Sequence, residues 1–159
     1  MPDSDPHIPA TTRRQFVLAT GGGLLAAALA GLFPTAAAAD ATDVEKWLAA
    51  FSPAKPTPGK ITIGAPDIAE NGNVVPITLT VDSPMTAQSY VKGIAMAAEG
   101  NPLPAVTVIE LSPANAKAEV QFRMRLAKTQ TVTAVALMSD NTLWSATKTI
   151  KVTIGGCGG

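Results

Sequence analysis

The amino-acid sequence predicts a mostly β fold, and two observations support that prediction. From Lys60 onwards apolar residues recur at every second position, which is the period of a strand with one buried face. Turn-forming pairs interrupt this pattern, as at Asn71-Gly72 and Asp140-Asn141, and both pairs are typical of hairpins. About seven short strands at such spacing indicate an immunoglobulin-like β-sandwich, with a small barrel as the alternative.

The predicted strands combine alternating apolar residues with flanking turn residues. They cover residues 61–64, 74–81, 90–98, 105–111, 118–126, 131–138 and 143–154. Alternation is clearest in the fifth strand, where Phe122 and Met124 face the core while Arg123 and Arg125 face outward. The two arginines either belong to a solvated face or guide an anionic substrate or partner.

The last strand is predicted to anchor the residues that follow it. Its alternate residues from Trp144 to Ile154 share one face, and the folded core is expected to end near Ile154. Elsewhere, Met85 and Met138 are predicted to fill the core rather than to bind a ligand.

One short helix is predicted ahead of the strands. Its apolar residues stand at i, i+3, i+4 and i+7, namely Val44, Trp47, Leu48 and Phe51. Thr42 and Glu45 are predicted as the N-cap and third helical residue of a capping box. The prolines of residues 52–59 indicate a stiff, extended link. We expect the helix to dock on the domain or on a partner.

The amino end has the features of an export signal. Arg13 and Arg14 precede an apolar run at 16–33, and Ala37 and Ala39 offer a cleavage site. A membrane-spanning helix is the alternative, but the run is short and weakly hydrophobic. The sequence therefore predicts a twin-arginine signal and a periplasmic protein that begins at Asp40 and keeps no membrane anchor.

The chain then divides into four segments. They are a signal peptide (1–39), a helix with a proline-rich linker (40–59), a β-sandwich domain (60–154) and a swinging arm (155–159). Twin-arginine export moves folded proteins, which usually acquire a cofactor or a partner before export. Since no cofactor motif is visible, we expect no cofactor and a protein partner.

Composition excludes several classes of function. The one histidine, His7, lies in the predicted signal, so Ser-His-Asp and Cys-His catalysis and a zinc site are not expected from the mature chain. Twelve Lys and Arg residues balance twelve Asp and Glu residues, so no basic excess favours nucleic acid. A single cysteine cannot close an internal disulfide in the oxidising periplasm.

The arm is where the sequence predicts chemistry. Cys157 lies two residues from the carboxyl end and is flanked by two glycines on each side: Gly155, Gly156, Gly158 and Gly159. Glycines leave the backbone slender and flexible, and the chain from Ile154 to Cys157 spans roughly 10 Å when extended. A thiol without a nearby cation is mostly protonated at neutral pH, so we expect partner enzymes to activate it. A frayed terminus is the alternative reading.

The sequence resembles the SoxY family, the sulfur-carrying subunits of the periplasmic Sox thiosulfate-oxidising system. The resemblance is strongest in the terminal KVTIGGCGG of residues 151–159. It extends through the stretches at 65–72, 81–86, 90–92 and 129–132.

The resemblance implies a function and partners. Thiosulfate would be joined oxidatively to Cys157 by a haem enzyme, sulfate would be removed hydrolytically, and the remaining sulfane sulfur would be oxidised by a further enzyme. The protein itself would be a non-catalytic carrier. It would form a heterodimer with a SoxZ-like subunit that covers an edge strand or a sheet face and leaves the Gly155 end free.

Three other classes are open to comparison. Ubiquitin-like sulfur carriers also end in Gly-Gly, but they load the terminal carboxylate with ATP in the cytoplasm, which the export signal argues against. Prenylation needs a cysteine at the fourth position from the end, whereas Cys157 is at the third. A β-sandwich interaction module whose cysteine makes only intermolecular disulfides is the strongest rival.

Overall fold

Nine strands and one helix form the part of the chain that the computed structural model describes, residues 39–155. The predicted signal peptide lies outside these residues, apart from Ala39. The elements in chain order are α1 (Ala41–Phe51), β1 (Thr57–Pro58), β2 (Ile61–Gly64), β3 (Ile68–Asn71), β4 (Val75–Val81), β5 (Val91–Ala98), β6 (Ala105–Glu110), β7 (Glu119–Met124), β8 (Gln130–Met138) and β9 (Leu143–Ile154). Among the described residues no helix is long and apolar enough to cross a membrane.

The strands form two sheets. The larger sheet has the order β1-β9-β8-β5-β6, and β3 also pairs with β9. The smaller sheet has the order β2-β4-β7 and is antiparallel throughout. The two sheets enclose one apolar core, so the prediction of a mostly β sandwich preceded by a short helix is confirmed. Each of the seven predicted strands matches an observed one to within two residues at either end.

The core is filled by large apolar side chains from both sheets. Ile77 and Leu79 of β4 meet Ile94 and Met96 of β5 and Ile150 of β9, and each of the five is less than 2% exposed. Burial of one such side chain contributes about 1.5–3 kcal/mol. Met85 and Met138 belong to this cluster, as predicted for core filler.

The helix covers the outer face of the larger sheet. Val44 and Leu48 of α1 pack on Ala95 and Ala97 of β5 together with Leu143. The two alanines alternate with the core residues of β5, so that strand is buried on both faces. Their small side chains leave room for the helix. The helix therefore docks on the domain, which is one of the two outcomes that the sequence left open.

The start of the helix differs from the prediction. The N-cap is Asp40, whose carboxylate accepts a hydrogen bond from the Asp43 backbone N–H at 3.0 Å, while the Asp40 N–H donates to the Asp43 carboxylate at 3.4 Å. The predicted cap at Thr42 and Glu45 is wrong by two residues. Apolar periodicity locates the helix face but not its first turn, and two overlapping cap patterns occur here.

The proline-rich link contains a strand that the sequence did not predict. Thr57 and Pro58 of β1 lie parallel to Trp144 and Ser145, and the Gly59 N–H donates to the Ser145 carbonyl at 3.0 Å. A two-residue strand carries no alternation, so it has no sequence signal. The link is therefore pinned to the sheet.

A second unpredicted strand, β3, pairs in parallel with the end of β9. Ile68 lies opposite Lys151, and Asn71 lies opposite Ile154. The Asn71-Gly72 turn then leads into β4, so it connects the two sheets rather than forming the predicted hairpin. Parallel pairing over four residues depends on distant parts of the chain, which local patterns do not reveal.

The second predicted turn is confirmed as a hairpin between β8 and β9. Asn141 adopts a left-handed conformation with φ +65°, which asparagine tolerates well. The side chain and backbone of Thr142 both donate to the Asp140 carboxylate and lower the pKa of that carboxyl. The turn is thus fixed by its own polar side chains.

The corrected cap gives a first testable expectation. Asp40→Ala should lower the free energy of unfolding by about 1 kcal/mol, because it removes the N-cap acceptor. Thr42→Ala, in the first turn of the helix, is the matched control and should change it by less than about 0.5 kcal/mol. Urea unfolding of both variants measures the difference. A larger loss for Thr42→Ala would contradict the observed cap.

Candidate functional site

The candidate site begins where β9 ends. This twelve-residue strand pairs with β8 from Leu143 to Ile150, and β3 pairs with its last four residues on the opposite edge. At about 3.3 Å per residue, β9 spans roughly 40 Å. It therefore connects the α1 side of the domain to the point where the predicted arm leaves it. We call Ile154 and Gly155 the arm root.

Hydrogen bonds hold the backbone up to the arm root. The Val152 N–H donates to the Thr129 hydroxyl at 2.9 Å, and the Ile154 carbonyl accepts from the Gly72 N–H at 2.7 Å. The Gly72 carbonyl in turn accepts from the Leu126 N–H at 2.8 Å. β9 is therefore fixed to its neighbours through its final residue.

Gly155 lies against the backbone of a neighbouring loop. A Cβ atom placed on Gly155 would overlap the carbonyl oxygen of Ala127, so the position has no room for a side chain. The sequence predicted Gly155 to provide arm flexibility. The structure gives a second reason for glycine there, which is the close approach of two backbones.

The remaining predicted site residues, Gly156, Cys157, Gly158 and Gly159, lie outside the described residues. The structure therefore places the start of the arm and not its thiol. The sequence identified Gly155 through its place in the glycine run, but it missed Gly72, Leu126 and Ala127. No local pattern marks those three, because they meet the arm root only through the tertiary fold.

Exposed apolar side chains lie near the arm root. Ile154 is 67% exposed, and Ile68 and Val74 are 59% and 55% exposed. The sequence predicted that the folded core ends near Ile154, and Ile150 is fully buried whereas Ile154 is largely exposed. The three strands of the smaller sheet have four to seven residues, whereas β9 has twelve, so its carboxyl end extends past the core.

Two basic residues lie near this end. Arg125 and Lys128 stand on either side of Leu126 and Ala127, and both residues are exposed. Arg123 and Arg125 are exposed as predicted, and neither forms an ion pair with the described residues. Residues 39–155 contain no cluster of three His, Cys, Asp or Glu side chains that could hold a metal ion.

The comparison with protein families matches the model described as "Sulfur oxidation protein SoxY" over residues 47–157. The chain belongs to the SoxY family. The match includes Cys157 and nearly the whole described domain, so the resemblance seen in the sequence is confirmed. A comparison with curated protein sequences gave no match.

The chain is also similar to solved structures. The sulfur carrier protein SoxY from Chlorobium limicola f thiosulfatophilum is 32% identical with a TM-score of 0.61, and the match covers 72% of this chain and 100% of that chain. A superoxide reductase (neelaredoxin) from Ignicoccus hospitalis is 24% identical with a TM-score of 0.53, covering 59% and 80% of the two chains. That likeness is one of fold alone.

The close contact at Gly155 gives a second expectation. Gly155→Ala should lower the free energy of unfolding by about 1–3 kcal/mol, because the new methyl group must displace the Ala127 carbonyl or the end of β9. Gly158→Ala is the control in the same glycine run and should change it by less than about 0.5 kcal/mol. Equal effects in urea unfolding would show that Gly155 does not contact the loop.

Proposed function

We propose that this protein carries sulfur intermediates covalently on Cys157 during thiosulfate oxidation. Membership of the SoxY family makes it a sulfur carrier of the Sox system. The attachment to Cys157 is the further step. Two observations together support it: the SoxY match extends to residue 157, and the last strand is anchored up to Ile154, three residues before the thiol.

All of the proposed reactions take place on the sulfur atom of Cys157. Loading joins the cysteine sulfur to the outer sulfur of thiosulfate, releases one proton and transfers two electrons to a haem enzyme. Hydrolysis then adds water across the bond between the sulfane sulfur and the sulfonate, releases sulfate and leaves a persulfide on Cys157. A third enzyme takes six electrons from the outer sulfur of that persulfide, with three water molecules as the source of oxygen and the release of six protons, and leaves a sulfonate on it. A second hydrolysis then releases sulfate and restores the thiol. In each step this chain supplies the sulfur atom and the partner supplies the charge or the oxidant.

The geometry at the arm root supports a chain that presents the thiol and partner enzymes that perform the catalysis. Cys157 is two residues beyond Gly155, so an extended backbone carries its Cα roughly 7 Å from the anchored position. Glycines on both sides of the cysteine keep the chain narrow enough to enter a confined active site. The chain offers no histidine after residue 7 to act as a base. The carrier therefore presents the thiol, and the enzymes perform the catalysis.

We further propose that the protein acts in the periplasm. The support is the paired Arg13-Arg14 ahead of the apolar run and the small residues that follow it. The oxidising periplasm suits a chain with one cysteine, because no second thiol competes with the cargo for that sulfur.

The family implies a SoxYZ complex, and we propose a SoxZ-like subunit as the stable partner. Strand β6 forms an edge of the larger sheet, and edge strands present unpaired backbone groups to other chains. Leu103, just before β6, is 74% exposed and Val108 within it is 51% exposed. A partner on this edge would leave the arm root on β9 free, because β5 and β8 lie between the two strands.

The carrier role predicts the behaviour of a cysteine variant. Cys157→Ser should abolish thiosulfate-dependent electron transfer in the reconstituted system, since serine cannot form a disulfide with thiosulfate. Its free energy of unfolding should stay within about 0.5 kcal/mol of the wild-type value. Full activity in this variant would end the carrier proposal, and urea unfolding excludes a trivial folding defect.

The partner proposal predicts a one-to-one complex. Co-expression with the SoxZ-like subunit should give a monodisperse heterodimer in size-exclusion chromatography with light scattering. Val108→Asp should weaken that complex at least tenfold, about 1.4 kcal/mol, because a carboxylate would be buried at the interface. Val74→Asp is the matched control on an equally exposed side chain away from β6. A stable monomer that ignores the subunit at micromolar concentration would refute the partnership.

A further inference from the structure

Two amide side chains, Asn101 and Gln130, form a polar network beside the arm root. Gln130 begins β8 and is 6% exposed. Its amide oxygen accepts from the Gly100 N–H at 2.7 Å, and its amide nitrogen donates to the Asn101 side-chain oxygen at 3.0 Å and to the Lys128 carbonyl at 3.2 Å. All of its polar atoms are therefore used within the domain.

Asn101 extends the network to the next loop. Its amide nitrogen donates to the Arg125 carbonyl at 2.9 Å, and its side-chain oxygen accepts from the Ala127 N–H at 3.0 Å. We call residues 125–129 the root loop. One asparagine thus holds the loop at two points, a residue before and a residue after Leu126.

The network is closely packed. A Cβ atom on Gly100 would come within 2.9 Å of the Lys128 side chain and 3.0 Å of the Gln130 Cβ, so these groups lie almost in contact with the Gly100 backbone. Such packing leaves the two amides a single arrangement in which their hydrogen bonds are all made.

Every residue of the root loop has at least one hydrogen bond to a neighbouring segment or to the network. The partners are Asn101 for Arg125 and Ala127, Gly72 for Leu126, Gln130 for Lys128, and Val152 for Thr129. A loop that joins β7 to β8 on the surface needs fewer contacts than this to connect two strands. The loop also forms the wall against which Gly155 lies.

We infer that Asn101 and Gln130 are positioning residues for the carrier arm. The amides fix the root loop, the Ala127 carbonyl of that loop lies close against the Gly155 backbone, and Gly155 sets the point from which the arm starts. The inference rests on the proposed carrier function. It adds that the flexible arm starts from a rigid root, so that the region which the thiol can reach is the same for each enzyme.

A rigid root matters because the thiol lies close to it. Only Gly156 stands between Gly155 and Cys157, so a shift of the root moves the region that the thiol can reach by a similar amount. A misplacement of about 1 Å at a reacting group can lower a rate by about 100-fold. A longer tether would let the thiol reach the same place after such a shift of the root, whereas this tether gives it little room to compensate.

The first experiment measures the root directly. In ¹⁵N relaxation of the folded protein, Gly155 should have an order parameter of about 0.8, near that of rigid backbone. Asn101→Ala should reduce it below about 0.6, the range of flexible backbone. Leu143→Ala, a core truncation at the other end of β9, is the control for general destabilisation and should leave Gly155 unchanged. A wild-type order parameter below about 0.6, or no change in Asn101→Ala, would overturn the inference.

A more conservative variant guards against a folding failure. Asn101→Asp retains the oxygen that accepts from the Ala127 N–H and loses the donor to the Arg125 carbonyl. Its Gly155 order parameter should lie between those of the wild type and Asn101→Ala. If Asn101→Ala does not fold, a wild-type value in Asn101→Asp overturns the inference.

The second experiment connects the root to function. Loading of Cys157 with thiosulfate by the haem enzyme should slow at least tenfold in Asn101→Ala, as kcat/KM, while alkylation of the thiol by iodoacetamide should stay within about twofold. Inserting two glycines after Gly155 should remove most of the difference between Asn101→Ala and its parent, since a longer tether relieves the constraint. If Asn101→Ala still lowers the kcat/KM for loading in the protein with the longer arm, the network has only a structural role. If the haem enzyme does not load the wild-type protein at all, the carrier proposal fails. The order parameters of Gly155 then still test whether the amide network holds the arm root rigid.

Discussion

The fold depends on one strand being paired along both edges. β9 runs through the larger sheet with β8 on one side and with β1 and then β3 on the other. The parallel contacts of β1 and β3 turn a strand that would otherwise lie at the edge into an interior one. Because its last residues are paired with β3, β9 is held between neighbouring strands up to Ile154.

The pairing of β9 on both edges divides the protein into a rigid domain that ends at the arm root and a cysteine-containing segment that follows it. The sandwich core and the helix on its outer face stabilise β9, and β9 carries the arm root to the surface. Beyond Gly155 the sequence supplies one thiol among glycines. The proposed carrier role needs this arrangement, since the same sulfur would have to fit several active sites while the domain that holds it stays unchanged. In that role the enzymes would supply the different chemistries, and the arm root would supply a fixed starting point.

Much of the fold was predictable because the strands alternate. Phe122 and Met124 lie inward and Arg123 and Arg125 outward, as the pattern requires. The short parallel strands and the Gly155 contact were not predictable, since they depend on residues far apart in sequence. Asp40 was missed because two cap patterns overlap. Of the candidate site, residue types at the chain end predicted the thiol, but nothing local marked Asn101 or Gln130 as its supports.

The central claim is that Cys157 carries the sulfur. Intact-mass and peptide analysis of the protein isolated from cells oxidising thiosulfate tests it most directly. We expect mass additions of sulfane sulfur and of thiosulfate on the peptide that contains Cys157, and their complete removal by a reductant. A population with only an unmodified thiol or a disulfide between two copies, isolated during active thiosulfate oxidation, would contradict the claim and favour an interaction module.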